Sequence, residues 1–267
     1  MTPSTAGARH VLCMKWGDKY GPEYVNRLYG MARRHLSGPF HFVCLTDDAD
    51  GVDVGVTCLP IPPLDVPLRP GQRDGAWNKL TVFEADLYGL RGTALFLDLD
   101  VVIVGSLDDF FEQAGEFFII RDYHRFWRFG ERIIGNSSVF RFELGAHADV
   151  LTHFRENMAQ VRAGHRNEQH FLSHFLHRQG KLGYWPAGWC PSFKYQCIPL
   201  WPSNYWRAPF VPADARIVVF HGEVNPHDAL AGRRNKPLGY IKPTPWVAQA
   251  WQSGLSKADG WPPPAGS

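Results

Sequence analysis

Nothing in the 267-residue sequence approaches the roughly 18 consecutive apolar residues of a membrane-spanning helix, and residues 1–9 carry no apolar stretch that would direct secretion. An excess of one charge is missing too. The 28 Lys and Arg oppose 26 Asp and Glu for a formal net charge of +2, and the basic residues are scattered, which argues against nucleic acid as a default partner. Arg233-Arg234 reads as solvated loop. Cysteine is scarce: Cys13, Cys44, Cys58, Cys190 and Cys197 are odd in number and show no Cys-x-x-Cys spacing, so neither a disulfide framework nor a zinc site is expected. Cys13 and Cys44 fall in apolar, strand-like runs, as buried thiols of a reducing compartment would. No internal repeat is present. The expectation is a cytoplasmic protein without a transmembrane segment, with peripheral attachment at the inner face of a membrane left open.

What the chain does have is 45% hydrophobic residues, enough for one substantial core. Residues 1–267 are expected to form a single domain, with a Pro-, Gly- and Ser-rich tail over 260–267 expected to be disordered. Residues 10–14 read as a buried strand and 39–46 as a second. Between them, 23–36 read as a helix with Val25, Leu28, Tyr29, Ala32 and Leu36 on one stripe. Strand, helix and strand begin a right-handed βαβ unit, which brings the loops after both strands to the sheet edge where open α/β sheets bind ligands. Tyr20 and Asp47 lie in those loops, as candidate contacts for a base and ribose. A short strand over 56–59 follows, then a helix over 77–88 with Trp77, Leu80, Phe83, Ala85 and Leu87 on one stripe. Further strands fit 94–104, 117–121, 136–142 and 216–221, with helices over 147–162 and 167–178. Beyond Gly180 the chain reads as loop, with Trp185, Trp189, Trp201, Tyr205 and Trp206 among prolines.

The chain is organised around residues 94–104, an apolar run interrupted by Asp98 and Asp100. A buried strand cannot hold unpaired carboxylates without a large cost, so both acids should lie where the strand leaves the sheet, with a cation or proton between them. Spacing of i and i+2 allows the two to converge on one ligand. His221 ends the strand over 216–221 in the same manner. Two carboxylates and an imidazole suit Mn²⁺ or Mg²⁺, with positions left open for phosphate oxygens, and Lys79 is a candidate second cation for such a charge.

Residues 94–111, Ala-Leu-Phe-Leu-Asp-Leu-Asp-Val-Val-Ile-Val-Gly-Ser-Leu-Asp-Asp-Phe-Phe, resemble the signature segment of nucleotide-sugar glycosyltransferases with the GT-A fold. The likeness is greatest to the retaining family 8 type, which includes glycogenin and bacterial lipopolysaccharide galactosyltransferases. Trp77-Asn78-Lys79-Leu80 stands where that family has an aromatic and a donor-contacting basic residue. Asn136-Ser137-Ser138-Val139 is similar to its Asn-Ser/Ala-Gly-Val strand beside the donor sugar. Glu168-Gln169-His170-Phe171-Leu172-Ser173 resembles its Asp-Gln-x-x-Leu-Asn segment, whose acid and amide reach the sugar. Phe220-His221-Gly222 looks like its late His-x-x-Gly element, which supplies the third metal ligand.

The resemblance implies a Rossmann-like α/β fold of the GT-A type, a mixed and mostly parallel sheet with helices on both faces. It also implies a metal-dependent hexosyltransferase of the retaining kind. This would move a sugar from a nucleoside diphosphate sugar, expected to be a UDP-sugar, to an acceptor hydroxyl of a glycan, as in bacterial polysaccharide biosynthesis. Asp98, Asp100 and His221 would hold Mn²⁺ or Mg²⁺, Asp98 binding either metal or ribose. Tyr20, Asp47, Lys79, Asp98, Asn136 and Ser137 would contact the donor. Glu168 and Gln169 would act on the oxocarbenium-like centre, with a covalent nucleophile and front-face attack both open. The tryptophans between 185 and 206, and residues 122–128, are candidate acceptor surfaces. The sequence departs from the family in having Asn225-Pro226 in place of its late Lys-Pro-Trp, so a diphosphate clamp falls to Lys79, Lys236 or an arginine. Ser138 replaces a glycine. Haloacid-dehalogenase-like phosphotransferases also use an apolar Asp-x-Asp, but near the start of their fold and with a later Gly-Asp-x-x-x-Asp that is absent here. The other alternative is a non-catalytic nucleotide- or glycan-binding scaffold.

Overall fold

The computed structural model describes residues 7–65, 74–123, 133–222, 224–233 and 240–252. The expected tail over 260–267, residues 124–128 of the aromatic stretch, Arg234 and Lys236 lie outside the described residues. Strand β1 (Arg9–Lys15) is apolar at Val11, Leu12, Cys13 and Met14 and so needs cover on both faces. Val11 and Cys13 share a core with Val25, Leu28 and Met31 of α1 (Pro22–His35). Leu12 and Met14 belong to the opposite layer, with Phe154 of a long helix (Ala148–Gly164) and Phe171 of the next (Glu168–Arg178).

β2 (His41–Thr46) and β3 (Thr57–Leu59) extend the sheet on one side of β1, and β4 (Thr93–Leu97) joins it on the other, all parallel. β6 (Phe117–Arg121), β7 (Gly135–Glu143) and β8 (Leu182–Tyr184) complete the order β3-β2-β1-β4-β7-β6-β8. β7 runs antiparallel to β4 and β6, and β8 parallel to β6. This is the mixed, mostly parallel α/β sheet with helices on both faces that the sequence led us to expect. The remaining helices are α2 (Asp108–Glu112), α3 and α4 as already bounded (Ala148–Gly164, Glu168–Arg178), α5 (Pro226–Ala231) and α6 (Pro245–Ala250). Among the described residues no helix is long and apolar enough to cross a membrane, and all five cysteines are free.

The structure differs from the sequence reading in three regions. The strand expected over 94–104 is broken: β4 stops at Leu97, Leu99 and Asp100 turn, and β5 (Val101–Ile103) pairs antiparallel with β9 (Ile217–Val219) in a separate two-stranded sheet. The two acids would otherwise sit in a ladder covered on both faces, and the turn delivers them to the sheet edge. The helix expected over 77–88 is a 3₁₀ segment, Asp74–Phe83. Its three-residue turn eclipses positions i and i+3, so Trp77, Leu80 and Phe83 form one buried edge. β8, α5 and α6 occur where the sequence read as loop; they are short, and each of the two helices begins with proline.

Candidate active site at the carboxyl end of the parallel strands

β2 lies on one side of β1 and β4 on the other, so the chain leaves the sheet in diverging directions between β1 and β4. Open α/β sheets receive ligands at such a switch point. The loop after β1 supplies Tyr20, the loop after β2 supplies Asp47, and the turn after β4 supplies Asp98 and Asp100. Tyr20 bridges the gap, its hydroxyl lying 3.0 Å from Asp100 Oδ2 and 3.3 Å from Asn225 Oδ1. Gly17, at φ +59° in the left-handed region that glycine adopts without strain, aims its N–H at Asp47 Oδ2 over 2.9 Å. These loops surround a hollow of ≈ 400 Å³ lined by Lys15, Tyr20, Pro22, Asp47 and Asp48 among others, a size that suits a small organic ligand.

The acids have unequal surroundings. Asp98 Oδ1 is ion-paired with Lys79 Nζ at 2.8 Å, and the same ammonium donates to Ser137 O at 3.2 Å and Ser137 Oγ at 3.3 Å. Burial disfavours the charge on Lys79, but Asp98, Glu168 and Asp100 more than offset it, so its pKa lies above the ordinary lysine value. The sequence left open whether this lysine was a solvated helix face or a site cation; it is buried beside the acids. Asp100 is pushed up to about 7 by burial and by repulsion from Asp98, against the Tyr20 hydrogen bond and the attraction of Lys19 and Lys79. Lys79 thus pairs directly with Asp98, while the attraction of Lys19 and Lys79 does not offset the burial of Asp100 and its repulsion from Asp98.

A large irregularity in β7 builds the other half of the site. The β6 partner of Phe140 is Ile119, yet the next residue, Ile120, pairs with Asn136, so Ser137, Ser138 and Val139 are passed over in that ladder. The backbone groups released there serve the site. Ser137 O receives Lys79, Ser137 N donates to Gln169 Oε1 at 3.3 Å, and Ser138 O receives the Asp98 N–H at 2.9 Å. Ser137 Oγ donates to Glu168 Oε1 at 2.9 Å. Glu168 is buried at the first position of α4, where the helix dipole favours its charge. Asn136 is buried too, and its Oδ1 accepts the Ser138 N–H at 3.0 Å.

Asn167 begins α4 and accepts the His170 N–H at 3.1 Å, fixing the turn that carries Glu168 and Gln169. Replacing it with alanine is expected to cost about 1 kcal/mol and to lower the melting midpoint by about 3 °C. Thermal unfolding followed by circular dichroism checks this. An unchanged midpoint would mean that the cap does not hold the turn.

His221 is not gathered with the acids. Its backbone neighbourhood is right, because Phe220 N donates to Asp100 O at 3.1 Å. Its ring instead lies 2.7 Å through Nε2 from Ser192 Oγ, stacks on Tyr123 at 5.1 Å between centroids and leans on Tyr195. Burial and Lys194 lower its pKa, opposed by Asp122, and neither Asp98 nor Asp100 figures among the charges acting on it. Among the described residues no three His, Cys, Asp or Glu side chains stand ready around a common point as a metal's ligands. Sequence reasoning missed the role of Asn225, which shares Tyr20 with Asp100, and the backbone of Ser138. Asn225 had one visible signal, its place in the segment that departs from the Lys-Pro-Trp pattern.

Architecture and site together define an α/β protein with a cluster of acids, a buried lysine and a hollow at a sheet switch point. No family model and no curated protein matches the chain. Solved structures do. The galactosyltransferase LgtC, in complex with donor and acceptor sugar analogs, superposes with a TM-score of 0.56 at 12% identity, over 81% of this chain and 88% of that one. The glycosyltransferase GlyE of Streptococcus pneumoniae TIGR4 gives 0.57 at 13% identity, over 93% of this chain. The superposition spans 61% of the GlyE chain. At these identities the likeness shows the fold alone: the chain has the GT-A fold seen in these glycosyltransferase structures.

Proposed function

We propose that the protein is a glycosyltransferase, acting as one catalytic domain over residues 1–267. It would move a hexosyl group from a nucleoside diphosphate sugar, a UDP-sugar by resemblance, to a glycan hydroxyl with retention of configuration. The observation that carries this reading is the convergence of Asp98, Asp100, Lys79, Ser137, Glu168 and Gln169 at the switch point, beside a hollow that Tyr20 and Asp47 line.

The two acids fit a hard divalent cation, since burial and repulsion from Asp98 raise Asp100 to about 7, and a bound cation would favour its charged form. The imidazole does not fit as placed, and its ligation would require it to leave Ser192. Asp98 and Asp100 would hold Mn²⁺ or Mg²⁺, which when bound supplies charge neutralisation for a departing diphosphate. Lys79 fixes Asp98 and adds a permanent positive charge under the acids. Ser137 fixes the Glu168 carboxylate, and Gln169 lies on the same turn, so both can stabilise positive charge developing at an anomeric carbon. Trp185 stacks on Phe118 in the core, whereas Trp201 and Trp206 are 63% and 71% exposed. Stacking of acceptor sugar rings therefore falls to the latter two.

With Mn²⁺ and UDP present at about 100 times their dissociation constants, the wild-type midpoint is expected to rise by about 5 °C or more. Asp100→Ala should remove that rise. An equal rise in both proteins would take the acids out of the donor site. Slow acceptor-free hydrolysis of a UDP-sugar is expected as well, while turnover of phosphate esters in its place would favour the phosphotransferase alternative.

A further inference from the structure

Behind the turn that carries Glu168 and Gln169, three imidazoles meet. His170 and His174 are four residues apart on α4 and so share one face of it, and His165 follows the last turn of α3. Their ring centres form a small triangle: 4.9 Å between His165 and His170, 4.5 Å between His170 and His174, and 5.5 Å between His165 and His174. The planes are inclined by 58°, 44° and 58°, so none of these pairs is stacked. All three residues are half-buried, and His165 rests edge-on against the core ring of Phe171.

Imidazoles that share a tetrahedral metal place their nitrogens about 2.0–2.1 Å from it, which sets ring centres about 5 Å apart. The observed triangle brackets that spacing. The nitrogens themselves do not yet converge: Nδ1 of His165 and Nδ1 of His170 face each other at 2.8 Å. A contact of that length between two imidazole nitrogens holds one proton, since one ring must donate and the other accept. A divalent cation in place of that proton would require the rings to turn until a nitrogen of His174 joins the two.

We propose that His165, His170 and His174 form a binding site for a divalent transition-metal ion of borderline softness, Zn²⁺, Ni²⁺ or Cu²⁺. An all-imidazole set selects these over Mg²⁺ or Mn²⁺, which the acids of the sheet edge suit better. The ion would tie the end of α3 to the first two turns of α4 and so stiffen the turn that presents Glu168 and Gln169. This inference stands independently of sugar transfer.

The test is calorimetric titration of untagged protein with Zn²⁺, repeated on His170→Gln, His174→Gln and the double Asp98→Asn/Asp100→Asn. The expected result is one equivalent bound by wild type, at least tenfold weaker binding in each histidine variant, and unchanged binding in the aspartate variant. Binding equal in wild type and histidine variants, or lost in the aspartate variant, would overturn the site. So would the absence of any binding to wild type. A measurement that needs no variant accompanies it: one equivalent of Cu²⁺ added to wild type should give an electron paramagnetic resonance spectrum with nitrogen superhyperfine splitting from two or more imidazoles. A spectrum without nitrogen coupling would contradict the proposal.

Discussion

Lys79→Met is expected to destabilise the protein by about 3 kcal/mol or more, with a fall in melting midpoint of about 6–12 °C. The lysine is 7% exposed, and its ammonium meets Asp98 at 2.8 Å. Removing it leaves a carboxylate that is only about a quarter exposed without its cation, beside a second acid. Breaking one side of a buried pair costs more than the pair contributes, because the surviving charge keeps its desolvation penalty. The double variant Lys79→Met/Asp98→Asn should therefore recover most of the loss, and the four proteins of the cycle measure the coupling. If Lys79→Met alone melts with wild type, the lysine is not the counter-charge of the acids.

Asp100→Asn is expected to move stability and activity in opposite directions. Its carboxyl is raised to about 7 in the folded protein, against about 4 in an unfolded chain. Between those values the folded state keeps a proton that the unfolded state has lost. The stability associated with that proton is complete in acid, declines as pH rises from about 4 to about 7, and is gone above. Asparagine escapes the decline, so the midpoint of the variant, measured without divalent ions, should gain on wild type across that interval and stay higher at pH 8. His10, His35, His147 and His221, whose pKa values burial lowers, act in the opposite sense by losing stability as the solution is acidified. They are common to both proteins and cancel in the difference. Transfer activity should fall about 10³-fold at the same time. A variant that is less stable than wild type at pH 8 in the absence of metal would contradict the electrostatic reading of the site.

Much of this arrangement could be read from residue order alone. Apolar continuity at Val11 to Met14 and the stripe of Val25, Leu28 and Ala32 define the first βαβ unit, and two acids inside an apolar run require an exit from the sheet. The partner of Asp98 was hidden because Lys79 lies off the stripe of Trp77, Leu80 and Phe83, yet the segment is covered on that side too, with Lys79, Thr81 and Val82 all buried. Asn136-Ser137-Ser138 looks like regular alternation, and nothing local announces that three residues drop out of the β6 ladder. His221 shows the limit most clearly. Pairing of Val101 with Val219 brings its backbone beside Asp100, as the strand pattern suggested, but the chain has left the strand by then and its ring turns to Ser192.

The ribbon formed by β5 and β9 joins residues more than a hundred positions apart, and it is the only strand partner that Val101, Val102 and Ile103 have among the described residues. The late strand thus works as a latch on the early acids. A protease nick in the tryptophan-bearing segment that left both fragments associated would preserve the latch, whereas dissociation of the later fragment would release Asp100 from Phe220. Order around the acids is consequently a property of the assembled chain, and its first half alone would carry the acidic motif without the means to hold it in place.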